Sequence, residues 1–210
     1  MSLNELSKKY ALDKNIASGC HNYIPAYTEL FESRRDVVKK MLEIGIGSVE
    51  NGQMGGVVNL GYKTGNSLKC WRDYFSNATI YGIDIYNHEE LNTERIITFR
   101  ADQSKETDLE IVIKNINDNL DIIIDDGSHL GEHQVFSFLF LNKFLSKNGI
   151  YVIEDIQPNN IDKFLDLSIF PEDCIKYIKD NFIVKYFDTR KDFGRADDFM
   201  MCFIRKLNVG

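Results

Sequence analysis

The sequence predicts an α/β protein: a doubly wound, mostly parallel sheet of seven strands that ends in an antiparallel hairpin. Three observations carry this expectation. Five short runs are apolar almost throughout, as strands covered on both faces are. Segments with apolar residues three or four apart separate them, the period of a helix packed on a sheet. Two final β-type runs then follow one another with no helical period between them.

The five buried runs are Lys40 to Gly45, Thr79 to Asp84, Arg95 to Phe99, Leu120 to Asp125 and Gly149 to Asp155. Helices are expected over Asn66 to Phe75, Lys105 to Asn117 and Glu132 to Leu145, with Leu109, Val112, Ile113 and Ile116 marking one apolar stripe. Repeated β-α units imply right-handed crossovers, hence the doubly wound arrangement. After a helical stretch around Ile161 to Lys179, the runs Phe182 to Phe187 and Phe199 to Ile204 flank a polar loop and read as the hairpin.

Composition narrows the function classes. The chain has 210 residues, a formal charge of -7, 43% hydrophobic and 12% aromatic content. That length buries one continuous core, and the aromatic content excludes disorder. The acidic balance argues against a nucleic-acid partner, which calls for a basic patch. No apolar run approaches the roughly 20 residues of a membrane span. The opening MSLNELSKKYALDKN lacks the apolar centre of a signal peptide, so a cytoplasmic protein is expected. Cys20, Cys70, Cys174 and Cys202 are scattered without metal-type spacing and read as reduced thiols.

In open α/β sheets the ligand lies beyond the carboxyl ends of the strands, and there the unusual residues gather. The first strand runs into Glu43-Ile44-Gly45-Ile46-Gly47-Ser48, where two glycines permit a tight turn and close backbone approach. A third glycine at the dinucleotide spacing is missing, because position 50 is Glu50. Asp84 ends the second strand, where an acid can accept bonds from both hydroxyls of a ribose, and Asp102-Gln103 after the third can read an adenine edge. Helix capping or turn formation is the alternative for Asp84 and Asp102. Asp125-Asp126-Gly127-Ser128-His129 follows the fourth strand and Glu154-Asp155 the fifth. Neighbouring strands are about 4.8 Å apart, so these acids converge, and carboxylates that close repel unless a cation joins them. Hard oxygen donors point to magnesium or a similar ion, with capping and ordinary ion pairs as the alternative. His129 stands at the start of the next helix, able to exchange a proton near neutral pH. His133, a turn later, reads as structural.

The motifs LEIGIG, YGIDIY, ADQS, DIIIDDGSH and GIYVIEDI resemble, in order, those of class I S-adenosylmethionine-dependent methyltransferases. More narrowly, they resemble the magnesium-dependent sugar O-methyltransferases of macrolide pathways, the mycinamicin and macrocin type. The likeness covers Lys40 to Gln157. It implies a Rossmann-like methyltransferase core, magnesium on Asp126, Glu154 and Asp155, and His129 as general base with Asp126 beside it in the catalytic set. It also implies a cofactor pocket lined by Glu43, Gly45, Gly47 and Asp125, with Asp84 at the ribose and Asp102 and Gln103 near adenine. A single domain over 1–210 is expected, residues 1–38 forming a helical segment that caps the substrate side of a core over 39–210. The macrolide enzymes carry a further amino-terminal domain that 210 residues do not accommodate.

The expected acceptor is a small molecule: a sugar, a sugar nucleotide or a glycosylated metabolite, in natural-product or polysaccharide biosynthesis. A catechol-like diol is the alternative acceptor. Neither nucleic acid nor membrane is expected as a partner, and a homo-oligomer is left open because a neighbouring subunit could hold the acceptor. His21, Tyr23, Tyr62 and Arg190 are the candidate substrate contacts. Arg190 belongs to a loop with Lys191 and Arg195 that could meet an anionic group. The glycine-rich stretch over 48–67 is long for a βα loop and is a candidate lid. Two competing functions remain: an NAD-dependent oxidoreductase, disfavoured by the missing glycine and the acid cluster, and a non-catalytic cofactor-binding module.

Overall fold

A computed structural model of the protein describes residues 1–50, 61–117 and 119–207. Its strands are β1 Lys40–Ile44, β2 Thr79–Asp84, β3 Ile96–Arg100, β4 Leu120–Asp125, β5 Leu145–Ile153, β6 Phe182–Asp188 and β7 Phe199–Arg205. They form one sheet in the order β3-β2-β1-β4-β5-β7-β6. The first five run parallel, and β7 lies antiparallel between β5 and β6. The expected seven-stranded, mostly parallel sheet with an antiparallel end is therefore the observed one. The chain winds outward from β1 to β3, returns to β4 on the other side of β1, and so places its switch point between β1 and β4.

Side-chain alternation divides the apolar residues between two cores, one on each face. Met41, Ile80, Ile122, Ile124, Ile150 and Val152 face α1 Leu3–Lys9, α2 Ile24–Phe31 and α3 Asn66–Tyr74. Leu42, Ile44, Ile83, Ile123, Tyr151 and Ile153 face α4 Glu106–Ile116, α5 Gly131–Leu141, α6 Ile161–Leu165 and α7 Glu172–Asn181. The amino-terminal segment belongs to the first core: Leu3, Leu6, Leu12, Tyr27 and Phe31 are buried with the sheet residues. Ser2 starts α1 through a reciprocal cap with Glu5, which satisfies two otherwise orphaned amides. Asn117 ends α4 in the left-handed region, a conformation asparagine tolerates.

Three boundaries differ from expectation for local reasons. The stretch expected as one helix over Ile161 to Lys179 is two, α6 and α7. Leu167 adopts φ 66°, and Pro171 bars a helical conformation at the residue before it. The helix expected to reach Leu145 stops at Leu141, because Leu145 already pairs with Leu120 across β5 and β4. β5 then ends at Ile153, so Glu154 and Asp155 lie just beyond the strand. The hairpin loop carries one short helix, α8 Arg190–Phe193.

Phe138 on α5 is the hub of the second core. Its ring lies 4.4 Å from that of Phe203, 5.1 Å from Tyr151 and 5.4 Å from Phe170. Phe138→Ala should therefore lower the stability by about 3–5 kcal/mol, read as a lower urea midpoint at unchanged slope. A loss under about 1 kcal/mol would show that the neighbouring rings close the gap.

Candidate active site

The strand ladder continues past the strand ends and sets the geometry of the site. Asp126 N–H donates to the Ile44 carbonyl at 2.9 Å, and Glu154 N–H to the Asp125 carbonyl at 2.9 Å. The residues after β1, β4 and β5 thus remain in lateral register. Gly45, at φ 89°, makes the close approach possible: a Cβ there would stand 2.0 Å from the Asp126 carbonyl oxygen. Above this junction opens a cavity of about 660 Å³. Gly45, Gly47, Asp84, Ile85, Asp102 and Gln103 line it on the β1-to-β3 side, and Asp126, His129 and Asp155 on the β4-to-β5 side.

Not every expected site residue faces this space. Asp84 does: its two oxygens accept from Ile46 N–H and Tyr86 N–H, both at 3.0 Å, which fixes the carboxylate at the cavity wall. Asp102 caps Ser104 N–H and Oγ, which holds its carboxyl below the usual range. Gln103 uses its amide internally, donating to Asp125 at 3.0 Å and accepting Ser128 N–H at 2.8 Å, so it braces the β4 loop rather than presenting a free amide. Asp125 is wholly buried behind the cavity, bonded by Ser137 Oγ at 2.6 Å as well as by Gln103, and burial pushes its carboxyl up. Glu43 is likewise no lining residue. It shares the Met41 face of β1, where Ser67 Oγ at 2.7 Å and Trp71 Nε1 at 3.1 Å take its two oxygens. Burial pushes that carboxyl up to about 7, against the opposing pull of Lys14 and these hydrogen bonds.

On the other side, Asp126, His129 and Asp155 bring one donor atom each to within 4.8 Å of one another. His129 Nε2 lies 3.9 Å from Asp126 Oδ1, while its buried Nδ1 has no protein partner. His129 precedes α5 instead of standing on it, at φ 57°, and Asp155 has φ 50°. Two non-glycine residues in the left-handed region at one site mark stored strain. Glu154 points elsewhere than its neighbour: Lys14 Nζ donates to Oε2 at 2.9 Å, and Tyr27 Oη donates to Oε1. Burial and the Asp126 charge push the Glu154 carboxyl well up, while Lys14 pulls it back. His133 pairs with Ser128 Oγ at 2.9 Å and steadies the turn.

Of the four candidate substrate contacts, His21 and Tyr62 line the cavity. Tyr62 Oη donates to the Ile46 carbonyl at 3.2 Å, and His21 Nδ1 pairs with Asp198 Oδ1 at 2.7 Å. Tyr23 is buried and donates to Asp155 Oδ1 at 2.6 Å, so it holds an acid in place. Arg190 is not at the cavity: it forms a two-pronged pair with Asp188 at 2.8 and 2.7 Å, and Arg195 of the same loop lines the cavity instead. Half of the candidate lid, residues 51–60, lies outside the described residues. Sequence reasoning missed Lys14 and Asp198, and it named Arg195 only as a companion of Arg190 in the loop. Asp198 had a signal: β7 runs antiparallel, so its amino end lies at the same edge as the carboxyl ends of the parallel strands.

The FtsJ-like methyltransferase profile matches residues 38–171. The chain belongs to the FtsJ-like methyltransferase family. It is 36% identical over 139 residues to the 8-demethyl-8-alpha-L-rhamnosyl tetracenomycin-C 2'-O-methyltransferase of Streptomyces olivaceus, covering 66% of this chain and 34% of that one. It is 34% identical over 154 residues to the demethylmacrocin O-methyltransferase of Streptomyces fradiae, covering 73% and 36%. The chain thus spans about a third of the length of these relatives. Among solved structures, MycE methyltransferase from the mycinamycin biosynthetic pathway, in complex with Mg and SAH, superposes with TM-score 0.73 at 26% identity, covering 100% of this chain and 56% of MycE. The resemblance to macrolide sugar O-methyltransferases is borne out at this level, and family membership leaves the oxidoreductase alternative without support.

Glu43 generates a pH prediction. Its folded pKa of about 7 lies above the ordinary 4.5, so its contribution to stability is full below pH 4.5 and is lost as the pH rises through 7. Glu43→Gln removes that dependence. Its stability relative to the unsubstituted protein should rise between pH 5 and pH 8 by on the order of 3 kcal/mol, from urea midpoints at the two values. A difference independent of pH would refute the assignment.

Proposed function

We propose that the chain binds S-adenosylmethionine across the β1/β4 switch point and, with a divalent cation such as magnesium at Asp126 and Asp155, methylates a sugar hydroxyl of a small glycosylated metabolite. In this reading residues 39–210 form the catalytic core of one domain, and residues 1–38 cover its acceptor side. The observation that carries it is the convergence of Asp126, His129 and Asp155 on the wall of the same cavity that Asp84 lines. The relatives' names supply the acceptor class, since they methylate a rhamnosyl tetracenomycin and demethylmacrocin.

The residues fit a cation. Three carboxylates meet at this edge, and Lys14 balances one of their charges. Burial and the Asp126 charge raise Asp155, which His21 and His129 only partly offset, the signature of carboxylates short of positive charge. A divalent ion between Asp126 and Asp155 would supply that charge and favour ionisation of a hydroxyl beside it.

The chain's own groups do the remaining work. Asp84, held by two backbone amides, accepts the ribose hydroxyls. Gly45 and Gly47, at φ 89° and 72°, let the β1 loop close on the cofactor without side-chain obstruction. His129 presents Nε2 to the acceptor and takes the hydroxyl proton as oxygen attacks the methyl carbon and the carbon–sulfur bond breaks. The cavity wall carries Asp13, Asp84, Asp102, Asp126, Asp155 and Asp197 against Lys14 and Arg195, which would repel a polyphosphate chain and favours a small acceptor over nucleic acid. No helix among the described residues is long and apolar enough to cross a membrane. All four cysteines are free.

Calorimetry with S-adenosylmethionine and with NAD, followed by transfer of labelled methyl to a rhamnosyl glycoside with and without chelator, tests the proposal. Binding of the sulfonium cofactor alone and chelator-sensitive transfer are expected; absence of cofactor binding ends it. His129→Ala should lower kcat by about 10²–10⁴ while cofactor affinity holds. Asp84→Ala should do the reverse, weakening the cofactor by about tenfold or more.

A further inference from the structure

Lys14 stands in the polar stretch between α1 and α2, where nothing in the sequence marks it. Yet it is only 1% exposed. Its Nζ donates to Asp126 Oδ2 and, at 2.9 Å, to Glu154 Oε2. Tyr27 takes the remaining oxygen of Glu154. Both oxygens of Glu154 are therefore engaged by the amino-terminal segment, and Glu154 is absent from the cavity wall. Asp126 keeps its Oδ1 on the side of His129. Among the described residues two groups bring donor atoms to within 4.8 Å, Asp126 with His129 and Asp155, and His21 with Asp155 and Asp198, and Glu154 stands outside both. The main chain fixes Lys14 in turn: its N–H donates to Asp13 Oδ1 at 2.9 Å, and its carbonyl accepts Tyr23 N–H at 3.0 Å.

We propose that Lys14 is a positioning residue that withdraws Glu154 from the cation site, leaving the ion to Asp126 and Asp155, and thereby sets how tightly the ion is held. The inference rests on the divalent-cation reading above and departs from the three-acid set that the family resemblance implies. Two effects act in the same direction. The tethered ammonium places a positive charge beside the ion, and it occupies a carboxylate that would otherwise be a ligand. Hard-cation affinity rises with the number and charge of available oxygens, so removing Lys14 tightens the site.

The test uses Mn²⁺ as probe on the full chain without cofactor or acceptor, with free Mn²⁺ counted by electron paramagnetic resonance and folding checked by thermal melts. Asp155→Asn should weaken binding by at least about tenfold, Glu154→Gln by less than about threefold, and Lys14→Met should tighten it by about tenfold. In the Lys14→Met/Glu154→Gln double variant the gain should shrink to the part due to the lost charge, because the freed carboxylate is gone; a merely structural lysine would not produce that non-additivity. Should Lys14→Met not fold, the Glu154→Gln measurement decides alone. A tenfold or greater loss in Glu154→Gln makes Glu154 a ligand and overturns this inference while leaving the cation reading intact. No Mn²⁺ binding by the unsubstituted protein overturns both.

Discussion

Gathering three carboxylates at one edge of a sheet is the constraint around which this molecule is arranged. The register of β1, β4 and β5 puts Asp126, Glu154 and Asp155 side by side, and Glu154 and Asp155 are buried there, where water screens little. The amino-terminal segment answers with donors in sequence: Lys14 to Asp126 and Glu154, His21 and Tyr23 toward Asp155, Tyr27 to Glu154. Its docking is thus electrostatic at the site and apolar beneath, where Leu3, Leu6, Leu12 and Phe31 join the core. Covering the cavity and neutralising its acids are one structural act.

The same edge explains why several acids at strand ends have different fates. A strand's residues alternate between faces, so Glu43 and Asp125 are directed into the two cores while Asp126 reaches the opening. Glu43 anchors α3 through Ser67 and Trp71, and Asp125 anchors the β4 loop to α5 through Gln103 and Ser137. These inward acids hold the walls, and the outward ones face the cavity. The two orientations are separated by the single step from Asp125, the last residue of β4, to Asp126.

The fold was legible because period and composition agreed at every strand, and the five parallel runs needed no tertiary information to be found. Asp84, Asp102, Asp126, His129 and Asp155 were legible for the same reason: topology sends parallel strand ends to one edge. Which oxygen of a carboxylate faces a cavity is a tertiary fact, and so Glu43, Gln103 and Asp125 read as cofactor contacts although their polar atoms are engaged inside the protein. Lys14 left no trace, since a lysine in a polar stretch ordinarily stays in solvent. Arg190 and Arg195 are five residues apart in one loop, and only packing distinguishes the arginine bound to Asp188 from the one at the cavity.

His129 and Asp155 both hold left-handed backbone that glycine would adopt without cost. Each residue is kept there against its own conformational preference, by about 1–2 kcal/mol. Glycine at either position would relieve the backbone and strip a side chain from the cavity wall, and at Asp155 it would also leave the Tyr23 hydroxyl without its acceptor.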